Sequence, residues 1–232
     1  MRRLIRGAVA LLFVGFFLLG YRIHDAWVQP LSLPEIGSIL VVNQGQSLRS
    51  VLMDLTSKTL LYDPEFISWR ARLLGLDDKM QAGEYMLEPG IRASDLLVKL
   101  TQGDVIQHSV TLPEGITLND ALHILSKQSA LRSVVTGPDD PKLTEMVGDW
   151  PSAEGWFLPE TWWFTRGDSD LDLLSRAHQA IKDLLKRMWD RQEISPPLSS
   201  PYEALILASI VERETGVPSE RAEIAGVFLK RL

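Results

Sequence analysis

The first pattern along the chain is an apolar run. Residues 7–21 (GAVALLFVGFFLLGY) carry no charge, and Leu4 and Ile5 extend the stretch past Arg6. Crossing the hydrocarbon core takes about 20 residues, with a working range of roughly 17–25. Residues 4–21 supply 18 if Arg6 snorkels to the interface. Arg2, Arg3 and Arg6 precede the run and only Arg22 follows closely, so the positive-inside rule keeps the N-terminus in the cytoplasm and sends the rest outward. A cleaved signal peptide is the rival reading, because the uninterrupted core is short. Against it, no small-x-small site follows: the −3 positions before Gly20 and Ala26 are Phe17 or Leu18 and Ile23 or His24. The reading is an uncleaved anchor over residues 1–26.

After it the periodicity changes. Residues 27–38 (WVQPLSLPEIGS) read as an extended tether. A weak repeat follows. Val42 to Leu48 (VNQGQSL) precedes Val51, Leu52 and Leu55; Leu87-Glu88-Pro89-Gly90 precedes Leu96, Leu97 and Leu100; Leu112 to Leu118 (LPEGITL) precedes Ala121, Leu122 and Leu125. Each copy predicts a short strand, a Gly-containing turn and an amphipathic helix. Ser47, Ser94 and Thr117 stand where N-caps are wanted. Another helix is predicted from Pro64, with Asp63 as cap, through Phe66, Trp69, Leu73 and Leu74 to Gly75. Residues 39–128 thus form an α+β region, either a glycan-binding module or a spacer. Gly137-Pro138-Asp139-Asp140-Pro141 marks a loop or boundary within 130–150, and residues 129–232 form a further segment.

In that segment, Ser200-Pro201-Tyr202-Glu203 has the N-cap, the Pro at N1 and the Glu at N3 of a capping box. Residues 204–211 (ALILASIV) are then apolar nearly all round, which predicts a helix buried on every face. It ends in Glu212-Arg213-Glu214-Thr215, with Gly216 as C′ residue and Pro218 beyond.

Composition narrows the function. The chain has 232 residues, net charge −6 and no cysteine. An acidic balance argues against nucleic acid as a partner, because phosphate binding needs a basic footprint. Without cysteine there are no disulfides, thiolate zinc sites, Cys nucleophiles or lipoprotein anchor. His24, His108, His123 and His178 are scattered and show no HExxH spacing, so neither a metal nor a cofactor is expected.

Two segments carry candidate chemistry. Residues 154–164 (EGWFLPETWWF) place five aromatics beside two carboxylates, as a sugar site does when rings stack on pyranose faces and carboxylates take hydroxyls. By composition alone, an aromatic core plug with surface acids is the better fit. Glu212 and Glu214 sit in the last turn of the apolar helix. The helix dipole, partial burial and a second carboxylate all favour the protonated form there, as a general acid at neutral pH requires. Pairing with Arg213, Arg221 or Lys230 at a solvated helix end is the alternative.

These residues resemble a known family. Ala208 to Thr215 (ASIVERET), continuing through Ser219-Glu220-Arg221 to residues 226–232 (GVFLKRL), is similar to the signature helix pair of the endolytic murein transglycosylases, the YceG-like family. Residues 154–161 (EGWFLPET) resemble its motif E-G-x-x-x-P-D-T, with Glu160 where Asp is usual. The anchor and the Gly45, Gly90 and Gly115 units match its layout of one membrane span followed by a LysM-like region. The resemblance implies an α+β catalytic domain in the bacterial inner membrane's outer compartment, cutting the β-1,4 bond from N-acetylmuramic acid to N-acetylglucosamine and leaving 1,6-anhydro ends. It makes Glu214 the catalytic acid/base and Glu212 a supporting carboxylate. Glu154, Trp156, Glu160 and Thr161 become supporting or substrate-binding positions. The implied partners are peptidoglycan strands, the membrane and cell-wall synthesis complexes. Family members run on through segments resembling Q-T-D-P-T and N-T-Y…G-L-P-P-G, so this chain reads as a C-terminally shortened member with an incomplete catalytic domain. A tethered glycan-binding protein or scaffold is the competing function.

Overall fold

The computed structural model describes residues 2–148, 150, 152–191 and 197–232, with side chains from residue 10 onward. The side chains of Arg2, Arg3 and Arg6, on which the orientation reading rests, lie outside the described residues. The fold is α+β. Helices predominate, and the chain divides into two compact units: residues 1–106 with 165–167, and residues 107–164 with 168–232.

The first unit begins with α1 (Arg2–Val28), whose large apolar side chains between Leu11 and Tyr21 are exposed. Among the described residues it is the one helix long and apolar enough to cross a membrane, over Ala10–Val28. Its last turn behaves differently. Ala26 is buried, Trp27 packs against the core, and the Arg70 guanidinium lies 4.6 Å from the Trp27 ring centroid. The expected tether is also bound down: Leu31 N–H donates to Ile91 O at 2.8 Å and Ser32 N–H to Leu60 O at 2.9 Å. Strands β1 (Ser38–Val42) and β2 (Gly83–Leu87) pair antiparallel, with Leu40, Val42, Tyr85 and Leu87 turned inward. Helix α2 (Leu48–Ser57) buries Leu48, Val51, Leu52 and Leu55, a one-sided helical stripe, and the Ser47 hydroxyl accepts Ser50 N–H at its start.

Two expectations need correction here. Helix α3 (Pro64–Leu73) forms where predicted but buries Ile67 and Ala71, leaving Trp69 53% and Leu73 65% exposed. Asp63 makes no side-chain cap: its backbone is left-handed, at φ +52°, instead of the extended conformation a capping residue takes, and its carboxylate accepts from Arg22 at 3.1 Å. Helix α4 (Ala93–Gln102) starts two residues earlier than a Ser94 cap allows: Arg92 is the N-cap, and Ser94 Oγ turns to Asp95. It buries Leu96, Leu97 and Leu100 and stops at Gly103, whose φ of +70° supplies the left-handed exit.

In the second unit, β3 (His108–Thr111) pairs antiparallel with β4 (Thr161–Phe164), from His108↔Phe164 to Thr111↔Thr161. The third repeat copy, residues 112–125, is expected with the two preceding copies in the 39–128 region. It lies in the second unit because β3 finds its partner in β4, not in β1 or β2. Helix α5 (Leu118–Ser126) follows, opened by a complete Thr117–Asp120 capping box. The segment read as a loop contains a short helix, α6 (Pro141–Val147), because Asp140 accepts Lys142 N–H and Pro141 stands at N1. Helix α7 (Asp170–Asp190) buries Leu173, Leu174, Ala177 and Ile181, and is joined by α8 (Pro201–Glu214) and α9 (Arg221–Leu229).

Helix α8 has the predicted start, with Ser200 Oγ accepting Glu203 N–H, but Glu203 reaches back to Ser199 N–H. The all-round burial does not appear. Among the described residues α8 packs on α7 and α9, so only Val211 is buried, while Ile206 is 43% and Ile210 38% exposed. Its end differs too: Thr215 is the C-cap in an extended conformation, and Gly216 does not take the left-handed one.

Candidate active site

The site is built around the turn that leads from β3 into α5. Leu112 N–H donates to Glu160 O at 3.0 Å, and the Thr111 and Thr161 hydroxyls meet at 2.8 Å, so Glu160 and Thr161 border the turn's first half. Gly115 turns the chain with φ of +70°, a conformation a side chain resists. At the far end, Leu118 N–H donates to both carboxylate oxygens of Glu154, at 3.1 and 3.0 Å. Glu154 therefore sits on the positive end of α5 and satisfies a first-turn donor that Thr117 does not reach. The Thr117 hydroxyl and N–H hold the Asp120 carboxyl below the usual carboxylate range, with His123 and Arg213 adding to the effect.

The last turn of α8 closes on the same place. Arg213 Nη1 donates to Gly115 O at 3.4 Å, and a Cβ at Gly115 would stand 3.8 Å from Glu212 Cγ. The Glu212 carboxylate is paired with Arg221 Nη2 at 2.8 Å. Glu214 stands two residues on, which on a helix turns its side chain to nearly the opposite side. It is exposed, and among the described residues it has neither hydrogen bond nor ion pair. Burial, one premise for a proton-holding Glu214, is thus missing. Buried Thr215 fixes the junction after it, accepting Val217 N–H at 3.0 Å and donating to Glu220 at 2.7 Å.

The predicted residues therefore separate. Glu154, Glu160, Thr161 and Glu212 gather around the 112–118 turn, and Glu214 lies at the same helix end facing elsewhere. Trp156 leaves the group. It is 6% exposed and stacks on Tyr202, with centroids 5.3 Å apart and planes 2° apart, beside Trp150 and His178. Two residues that shape the site have other sequence readings: Gly115 is the turn of the third repeat, and Arg221 is one of three cations offered as partners for Glu212 and Glu214, of which it takes Glu212. The ASIVERET to SER spacing brings Arg221 opposite Glu212 only once α9 turns back.

Two measurements follow directly. Gly115→Ala is expected to cost about 1–2 kcal/mol, since space is available and the positive φ alone opposes it; denaturant unfolding reads it. For His178, burial pushes the imidazole pKa down, Lys182 adds to this, and the Nδ1 hydrogen bond to Trp156 O partly offsets it. The folded chain thus resists a proton that the unfolded chain accepts near 6.5, so stability falls as pH drops below that value. Thermal unfolding between pH 7.5 and 5.5 should show this slope (roughly the range where a free His titrates), and His178→Gln should flatten it.

With this geometry in view, the relatives can be placed. The model of the YceG-like family matches residues 40–232, and the chain belongs to that family. It is similar to the endolytic murein transglycosylase of Bacillus subtilis, 22% identical over 214 residues that cover 82% of this chain and 58% of that protein. The protein of the same name from Streptococcus pneumoniae is 22% identical over 220 residues, covering 82% of this chain and 39% of its own length. The chain thus spans less than two thirds of either relative. A solved yceG-like protein from Listeria monocytogenes is 17% identical, covering 81% of this chain and 67% of that one, with a TM-score of 0.37.

Proposed function

We propose that the chain is a membrane-anchored lytic transglycosylase acting on peptidoglycan strands, with Glu214 as its acid/base. Family membership supports the reaction class. The observation that carries the residue assignment is the division of labour at the end of α8. Glu212 is tied to Arg221 beside the Gly115 turn, whereas Glu214 is exposed and has no cation partner among the described residues. A carboxyl that must give and regain a proton needs that freedom. Glu214 protonates the glycosidic oxygen as the bond from it to the anomeric carbon breaks. The 6-hydroxyl oxygen of the same muramic acid residue bonds to that carbon, and its proton returns to Glu214. Atoms balance without water, metal or cofactor, and one carboxyl group suffices where hydrolysis needs two. Glu154 serves by fixing the turn, with Glu160, Thr161 and Glu212 around it.

The anchor reading is part of the same proposal: N-terminus in the cytoplasm, the remainder outside the bacterial inner membrane, close to the cell-wall synthesis complexes. Its support is that α1 runs unbroken through Val28 and that Ala26 and Trp27 belong to the first unit's core, so cleavage there would open that core. The repeated strand–turn–helix pattern of β1–α2 and β2–α4 supports a LysM-like role for that unit.

Binding without cleavage is the second reading, favoured by the exposure of Glu214. Mass spectrometry of digested strands separates the two, because anhydro-muramyl ends arise only from cleavage. Sacculus pull-down without such ends would establish binding alone; neither result would leave a scaffold.

A further inference from the structure

A second candidate site lies in the same unit, at the opposite end of α8. A cavity of about 500 Å³ is walled by Trp150, Trp156, Trp189, Tyr202, His178 and Lys182. Its aromatic wall is interlocked: Trp150 and Tyr202 centroids lie 4.1 Å apart, Trp150 and Trp156 5.2 Å. Trp156 Nε1–H is buried in that wall without an acceptor among the described residues. The polar side is charge-balanced. Lys186 pairs with Asp190 at 3.0 Å and Gln179 donates to Asp183 at 2.9 Å, while Lys182 has no ion-pair partner among the described residues.

We infer that this groove is a distal glycan subsite that takes a neutral N-acetylated pyranose, the N-acetylglucosamine unit of a strand. Trp150, Trp156 and Tyr202 pack their faces on one another and form the apolar floor, while half-buried Trp189, outside that stack, offers an indole face to the apolar C–H side of such a ring; the volume falls within the usual range for small-ligand sites. Balanced charge on the rim favours an uncharged ligand. Lys182 and Asp183 supply a donor for the acetamido carbonyl and an acceptor for hydroxyls. Tyr202 and Glu214 stand near opposite ends of α8, about 18 Å apart at 1.5 Å rise per residue. A strand of several sugars spans that distance, so the groove would favour long substrates. The inference rests on the transglycosylase reading for its choice of sugar, not for its geometry.

The test is calorimetric titration of the full chain in detergent with N-acetylglucosamine trimer, which lacks the bond cleaved in the proposed reaction. Saturable binding is expected. Trp189→Ala should weaken it about tenfold, the upper range for losing one aromatic contact, and Lys182→Gln about two- to fivefold. Both variants should cut short glycan fragments as the parent does and show a raised KM only on long strands. Absence of trimer binding, or binding unmoved by both substitutions, would overturn the subsite. Trimer binding together with uncleaved strands would leave the subsite standing and remove the transglycosylase reading instead.

Discussion

Glu214→Gln should lower the yield of anhydro ends from glycan strands at least about 100-fold, the scale on which positioned acid–base groups act. Thermal stability should stay within about 0.5 kcal/mol, because the side chain is exposed and bonded to nothing among the described residues. The amide keeps size and shape and removes only the transferable proton. Glu212→Gln should behave differently. It releases Arg221, whose Nε is buried without an acceptor among the described residues, so activity and stability should fall together. A chain in which Glu212→Gln is the silent catalytic knockout and Glu214→Gln keeps activity would reverse the two roles. End-group counting on a defined strand, run beside unfolding curves, reads both variants.

The second large effect is expected at Glu154. Its two oxygens hold Leu118 N–H, and the turn they hold carries Gly115 against Arg213 and Glu212. Glu154→Ala leaves the first-turn donor of α5 to solvent, at a cost of about 0.5–2 kcal/mol. It should also lower kcat by loosening the turn. Glu154→Gln retains an acceptor oxygen and should recover most of the stability and part of the rate. A residue that instead bound substrate through its charge would show equal losses in both variants, concentrated in KM. The comparison therefore separates positioning from substrate contact.

How much of this was legible in the sequence depended on whether local chemistry decided the outcome. Ser47, Thr117 and Ser200 cap helices as read, because a cap is settled within four residues. The same rule, missed at Asp140-Pro141, would have found α6: an Asp before a Pro is a helix start as readily as a turn. The face of α3 was illegible. Its apolar residues can be arranged on two stripes, and the choice of Ile67 and Ala71 was made by packing on α1 and α2, with Asp63 entering the helix left-handed and without capping it. In α8 the composition asked for burial, but burial depends on neighbours that composition does not name. The acidic residues of the two motifs stand out by type and spacing. Their division into Glu154 on a helix terminus, Glu212 on Arg221 and Glu214 without a partner among the described residues required the β3–β4 pairing and the return of α9, both long-range events.

In the proposed reaction the glycan bond breaks by internal attack of the 6-hydroxyl, with Glu214 shuttling the proton. Digestion of uncross-linked peptidoglycan strands in heavy-oxygen water, followed by mass spectrometry of the new ends, tests it most directly. Internal attack predicts anhydro ends that carry no label and that vanish in Glu214→Gln. Labelled reducing ends would mean hydrolysis by a second carboxylate, and label-free anhydro ends surviving Glu214→Gln would place the proton transfer on another residue; either result contradicts the account.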